Sequence, residues 1–141
     1  MKLHVVTLLA ITITLTLLVA TNASFAQTPQ LSADDPIILS DTHGYDFTNY
    51  LKLLTDQVRS KWYAGMPDAA RQGQKGRVVV VFTILRDGTS RNLRIVAGSG
   101  AQPLDEASTA AIQSASPFPQ LPADYSDNQI VVQFAFLYNQ K

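Results

Sequence analysis

The chain has 141 residues, no cysteine, and 11 basic and 11 acidic side chains that give a formal net charge of zero. This length suits one domain with a short extension rather than two separate cores. A hydrophobic content of 46% with 16% charged residues is typical of a globular protein. The balanced charge provides no general attraction to nucleic acid or to an anionic membrane. The absence of cysteine excludes disulfides, thiol nucleophiles and thiolate metal sites.

The N-terminus has the pattern of an export signal. A short basic start precedes an uncharged run from Val5 to Ala20, in which the only polar side chains are four threonines. Ser24-Phe25-Ala26 then places small residues where a signal peptidase cleaves, so we predict a signal peptide over residues 1–26. The alternative is an uncleaved membrane anchor, although a membrane span usually needs about 20 apolar residues.

Residues 27–45 are polar and rich in turn-forming residues, and Ile37-Ile38-Leu39 is the one apolar interruption. Because no helical or strand period is sustained there, we predict a polar linker. The folded domain is expected over residues 46–141.

The first element of that domain is predicted to be an amphipathic helix. Its apolar positions recur at helical spacing, which is the pattern of one buried face. Asp46 can cap its start, and Gly65-Met66-Pro67 is expected to end it. The apolar positions are Phe47, Tyr50, Leu51, Leu54, Val58 and Trp62.

Two runs rich in β-branched residues follow, Arg77–Leu85 and Ser90–Val96. Arg86-Asp87-Gly88-Thr89 separates them, and Gly88 can adopt the positive φ that a tight turn requires. The pattern therefore predicts a β-hairpin.

A second helix is predicted to begin at Pro103, because proline suits the first turn of a helix. It should end before Pro117, which disfavours helical geometry at the residue ahead of it. Pro117–Pro122 contains three prolines and is expected to form an extended loop. Ile130–Tyr138 is predicted to be the last strand.

The order helix-strand-strand-helix-strand predicts an α+β fold with a three-stranded antiparallel sheet and two helices packed on one face. The first strand is apolar on both faces, which favours the central position for it. The last strand would then lie at an edge of the sheet. The second face of the sheet would need another cover: the proline-rich loop, the linker or a second copy of the chain.

The sequence resembles the C-terminal domain shared by TonB-type energy transducers and TolA, from about Tyr50 to Tyr138. The resemblance is carried by six segments in the same order as in that family. They are Val58-Arg59-Ser60-Lys61-Trp62-Tyr63 ahead of Pro67, Lys75-Gly76-Arg77-Val78-Val79-Val80, Asp87-Gly88, Gly98-Ser99-Gly100 ahead of Pro103-Leu104-Asp105, Pro117-Phe118-Pro119, and Phe134-Ala135-Phe136. The transducers also keep a histidine within their membrane anchor, whereas His4 precedes the apolar run here and the spacer is short. The resemblance therefore implies the periplasmic recognition function of the family.

What the resemblance implies is a periplasmic module that binds an extended segment of an envelope or outer-membrane protein by strand addition, with a role in energy-coupled transport. The expected partner is a TonB-dependent receptor or a Tol-type protein. The last strand lacks the Pro, Gly and Lys that usually protect an edge, so its edge is the predicted binding surface. The alternative is a structural envelope protein that uses the same edge to form a homodimer. The predicted partner-binding residues are Ile130, Val131, Val132, Gln133, Phe134, Ala135 and Phe136.

Catalysis has little support in the sequence. His43 is the one histidine after the predicted cleavage, and it lies in the linker, where nothing is expected to hold it. No metal, nucleotide or cofactor motif is recognisable, so we expect no enzyme, no cofactor and no nucleic-acid partner. Six cations fall between Arg71 and Arg94 with only Asp87 against them. This cluster indicates either a solvated hairpin rim or a basic face for an acidic ligand.

Overall fold

The computed structural model describes residues 31–140, and the predicted signal peptide at residues 1–26 lies outside them. The described part contains four strands and three helices. In chain order they are β1 Leu31–Ile38, α1 Thr48–Ala64, α2 Asp68–Arg71, β2 Gly76–Leu85, β3 Ser90–Ala97, α3 Gln102–Ala115 and β4 Gln129–Tyr138.

The strands form one sheet in the order β1-β4-β2-β3, and every neighbouring pair is antiparallel. The predicted central position of the Arg77–Leu85 strand is confirmed, because β2 lies between β4 and β3. The predicted three-stranded sheet is wrong by one strand. Part of the predicted linker forms β1 and pairs with β4, so β4 is an interior strand. Helix α2 was not predicted either.

The core lies between one face of the sheet and the helices. Of the predicted stripe, helix α1 buries Tyr50, Leu54, Val58 and Trp62, while Leu51 is partly buried and Phe47 is buried just ahead of the helix. Trp62 meets Phe136 edge to face with ring centroids 5.0 Å apart. Helix α3 adds Leu104 and Ile112, both fully buried. At about 25 cal/mol per Å² of apolar surface removed from water, such side chains supply most of the driving force for folding.

The proline-rich loop, Pro117–Pro122, packs on this same face. The Phe118 ring stacks on Phe82 with centroids 5.6 Å apart, and Tyr50 donates a hydrogen bond from its hydroxyl to the Pro119 carbonyl, 2.8 Å away. The loop and the linker were two of the three covers predicted for the second face of the sheet. The prediction for the loop is wrong, because the loop joins the core, and residues 31–38 of the linker join the sheet instead of covering its face.

The β2–β3 hairpin turns as the sequence predicts. Gly88 has φ of +88°, and the Asp87 carboxylate accepts hydrogen bonds from the Thr89 amide and hydroxyl. These bonds hold the pKa of Asp87 below its usual value, and Arg91 adds to that effect. The turn is therefore fixed by its own residues.

Strand β3 carries a bulge at Asn92, which has φ of +55°. Arg91 pairs with Thr83 and Arg94 pairs with Val81, so three steps on β3 match two on β2. Strict alternation would place the two arginines on opposite faces. The bulge brings both onto the second face of the sheet, away from the helices.

Across residues 31–140, none of the helices combines the length and the apolar character that crossing a membrane requires.

Candidate functional site: the outer edge of strand β4

Strand β4 pairs with β2 along its whole length. The register runs from Gly76 opposite Tyr138 to Leu85 opposite Gln129 without a shift. Because this ladder has no bulge, the side chains of successive β4 residues alternate between the two faces of the sheet, and their main-chain groups alternate between the two edges of the strand.

The even-numbered side chains of β4 enter the core. They are fully buried at Ile130, Val132, Phe134, Phe136 and Tyr138. The odd-numbered positions lie on the second face, where Val131, Gln133 and Leu137 are half-buried and Ala135 is buried.

The odd-numbered positions also carry the main-chain groups that point away from β2. Val131 shows this directly, because its carbonyl accepts from the Leu39 amide at 2.8 Å and its amide donates to Ser40 Oγ at 3.0 Å. The amide and carbonyl of one residue lie on the same side of an antiparallel strand, and the side alternates. Gln133, Ala135 and Leu137 therefore present their main-chain groups to the outer edge.

This outer edge is occupied, and the prediction of a free edge on the last strand is wrong. Residues 31–34 pair with residues 135–138, and residues 37–38 pair with residues 132–133. A strand was not expected at residues 31–38 because Asp34-Asp35-Pro36 is poor strand sequence. Residues 31–38 form a strand because the outer edge of β4 offers main-chain hydrogen-bond partners, although their own sequence does not favour a strand.

Strand β1 is irregular in its middle. The register shifts between Asp34 and Ile37, so Asp35 and Pro36 form a bulge. Proline lacks the amide proton that a ladder needs, and a bulge is one place where a sheet accepts it. Ile37 is 54% exposed on the outside of the sheet, whereas Ile38 packs against the core.

The segment after β1 is fastened to the loop ahead of β4. The Tyr125 hydroxyl donates to the Asp41 carbonyl at 2.8 Å, and the Tyr125 ring packs edge to face on Phe47. Burial, together with the nearby carboxylates of Asp127 and Asp41, raises the pKa of Tyr125. Tyr125 therefore stays neutral and able to donate this bond near neutral pH.

His43 is part of the same attachment. Its Nε2 lies 2.8 Å from the Asp127 carboxylate and its Nδ1 lies 3.5 Å from that of Asp41. The hydrogen bond to Asp127, followed by the charges of Asp127 and Asp41, raises the pKa of His43. The expectation that nothing would hold His43 is wrong, because its partner Asp127 lies 84 positions away in the sequence.

Arg86 holds the loop that carries these groups. Its guanidinium donates to the carbonyls of Pro122, Tyr125 and Asp127. Its Nε donates to Asn128 Oδ1 at 3.3 Å. Arg86 was counted among the cations of the basic cluster, but its donors are used within the domain.

The far end of β4 is fixed by a buried polar network. Trp62 Nε1 donates to the Tyr138 hydroxyl at 2.7 Å, and Ser108 Oγ lies 2.8 Å from the same oxygen. The Leu104 carbonyl accepts from the Ser108 hydroxyl at 2.8 Å and lies 3.2 Å from the Tyr138 hydroxyl oxygen, so two hydroxyl protons are shared among three close contacts. Burial raises the pKa of Tyr138. This network ties β4 to α1 and α3 and fixes its position.

The structure thus brings all seven predicted residues together on one strand, but with different surroundings. Ile130, Val132, Phe134 and Phe136 point into the core, and their main-chain groups face β2. Val131, Gln133 and Ala135 have main-chain groups at the outer edge, together with Leu137, which the prediction left out. The alternation of the strand divides the seven residues into two sets, but only the topology shows which set faces the outer edge.

Comparison with known proteins agrees with this fold. Residues 67–139 match the family described as Gram-negative bacterial TonB protein C-terminal. The chain is also similar to the solution structure of the TonB C-terminal domain of Helicobacter pylori, with 24% identity and a TM-score of 0.56. That similarity covers 71% of this chain and 89% of the other, and it shows the fold. No curated protein matches the chain. Since the family match includes more than half of the sequence, the chain belongs to the TonB C-terminal domain family.

Proposed function

We propose that this domain binds an extended segment of an envelope or outer-membrane protein in the periplasm, by strand addition to the outer edge of β4. A TonB-dependent receptor or a Tol-type protein is the expected class of partner, and the binding would serve energy-coupled transport. The protein would act by binding, without catalysis and without a cofactor. Family membership supports the class of function.

One observation carries the choice of edge. Within residues 31–140, the outer edge of β4 is covered by a strand that a bulge interrupts, and that strand belongs to the region that precedes the family match. An edge that pairs with such an unfavourable sequence can pair with another extended chain through the same main-chain groups.

Peptides from the periplasmic N-terminal segments of outer-membrane transporters provide the test. On titration into the labelled protein, we expect amide shifts at Val131, Gln133, Ala135 and Leu137. Strand β3, at the opposite edge of the sheet, is the internal control. Shifts confined to β3 or to the helices would remove the β4 edge from the proposal.

Two proline variants sharpen this test. The Ala135 amide faces outward, so Ala135→Pro should keep the circular dichroism spectrum of the fold and lose peptide binding. The Val132 amide faces β2, so Val132→Pro should unfold the domain. Equal peptide binding by Ala135→Pro and the wild type would contradict strand addition.

Self-association is the second candidate. In a domain-swapped dimer, β1 of one copy would pair with β4 of another through the contacts seen within one chain. A dimer that forms with increasing concentration in sedimentation experiments, without binding any transporter peptide, would favour this alternative.

A further inference from the structure

Strand β1 is held unevenly along its length. At its C-terminal end, Ile38 packs on the core, and Leu39 and Ser40 hydrogen-bond to Val131. The chain is then fastened again through Asp41 and His43. Releasing this end would break side-chain and main-chain contacts together.

The N-terminal end, residues 31–34, lies beyond the bulge. Asp35 is exposed, and Pro36 offers no amide proton to the ladder. The bulge therefore interrupts the main-chain hydrogen bonding between residues 31–34 and the anchored end. A strand that is divided in this way can open in two steps.

We infer that residues 31–34 are a hinged cover over residues 135–138 of β4, and that they swing away at Asp35–Pro36 while residues 38–43 remain anchored. This inference deepens the proposed function, because it places the docking surface on the C-terminal half of β4 and assigns the N-terminal segment a regulatory role. The partner segment runs antiparallel to β4, as residues 31–34 do.

The register indicates the chemistry of the partner. Positions 31 and 33 of the cover pair with Tyr138 and Phe136, whose side chains are buried in the core. Cross-strand partners share a face of the sheet. An incoming segment in the same register therefore carries apolar residues opposite Tyr138 and, two positions later, opposite Phe136.

Next to the bulge there is room for the partner chain to leave the sheet. A groove of about 430 Å³ lies between β1 and α1, and its lining includes Pro36, Leu51, Thr55 and Arg59. A partner strand that follows the course of residues 31–34 meets the anchored end of β1 after about five residues. It leaves the sheet through this groove.

Two disulfide variants test the hinge in the full chain, which contains no cysteine of its own. The first variant, called the cover lock, is Ser32→Cys with Leu137→Cys, which joins the cover to its register partner on β4. The second, called the anchored-end lock, is Ile37→Cys with Gln133→Cys, which joins register partners at the anchored end and serves as the matched control. Reduced samples of each variant control for the substitutions themselves.

The first readout is hydrogen exchange at the Ala135 amide, which needs no ligand. The oxidised cover lock should slow this exchange by about tenfold or more, whereas the oxidised anchored-end lock should change it by less than about twofold. Equal slowing by both locks would mean that β1 leaves as one unit. Ala135 exchange at the rate of global unfolding in the wild type would mean that no hinge opens. Either result overturns the inference.

The second readout is the binding of a fluorescent peptide with the sequence of residues 29–36, with Leu31→Asp and Ala33→Asp in a control peptide. Oxidation of the cover lock should abolish binding, and oxidation of the anchored-end lock should not. Binding that survives the cover lock overturns the inference and leaves the proposed function standing. Hinge opening without binding of this peptide or of any transporter peptide overturns docking at this edge, and the proposed function with it.

Discussion

Replacing Tyr138 by phenylalanine removes one oxygen atom from the polar network at the end of β4. Trp62 is 1% exposed, and its indole N–H donates to that oxygen at 2.7 Å. Ser108 keeps its bond to the Leu104 carbonyl, so the substitution leaves one buried donor, the indole N–H, without an acceptor. Removing one partner of a buried hydrogen bond costs about 1–3 kcal/mol.

A loss of about 2 kcal/mol lowers the urea midpoint by about 1 M when the dependence of the free energy on urea is about 2 kcal/mol per M. The fluorescence of Trp62, the single tryptophan of the chain, reports the transition, and far-ultraviolet circular dichroism provides a second probe. Tyr63→Phe is the matched control, because the Tyr63 ring also contacts Trp62 but Tyr63 is 46% exposed. Its free energy of unfolding should change by less than about 0.5 kcal/mol.

Equal urea midpoints for the Tyr138→Phe and Tyr63→Phe variants would refute this reasoning. It would mean that the indole N–H gains a new acceptor at no cost, so that the network does not fix the end of β4.

Three further predictions concern the hairpin turn, the loop ahead of β4 and the start of α3. Gly88→Ala should lower the free energy of unfolding by more than about 2 kcal/mol in urea titrations, because a Cβ there would lie 2.0 Å from a backbone oxygen of the proline-rich loop. The raised pKa of His43 means that its contact with Asp127 stabilises the fold below about pH 6.5 and weakens as the pH rises through the raised value. An imidazole NMR titration should show that value falling in Asp127→Asn. Asp105→Ala should cost about 1 kcal/mol by the same unfolding assay, because the Asp105 carboxylate accepts from both the amide and the hydroxyl of Ser99.

Most of the domain could be predicted from the sequence because its elements have strong local patterns. Helix α1 is predictable from its apolar spacing. The Asp46 carboxylate accepts from the Thr48 amide next to the helix start, but the N-cap position itself is Phe47. The β2–β3 hairpin depends on Gly88, whose φ only glycine adopts without strain. In each case a few neighbouring residues determine the structure.

The remaining elements depend on contacts between distant parts of the chain. Residues 31–38 contain a pair of aspartates and a proline, and they form a strand only because β4 offers an edge. Helix α2 has four residues, which is too few to show a period. The sequence also gives no sign that Arg86 donates to carbonyls more than 30 positions away. Pairings of this kind follow from the fold and are not visible in a local pattern.

The candidate site was predicted on the right strand, but its side chains and main chain could not be separated without the topology. Placing β4 at the edge made all seven residues equivalent. Because β1 and β2 lie on either side of β4, the direction of each amide decides which residues can pair with a partner. The hydrogen bond from the Val131 amide to Ser40 shows which amides face outward along the whole strand.

The regular alternation of β4 has an evolutionary consequence. Even-numbered positions such as Phe134 and Phe136 are constrained by the interior, whereas odd-numbered positions such as Gln133 and Leu137 border only the outer edge and the second face. A substitution in one set leaves the other set in place, so stability and exterior contacts can drift separately. Because main-chain groups are present whatever the side chain, the edge itself persists through such drift. One ten-residue strand can therefore keep the same interior while its outward side chains diverge between related proteins.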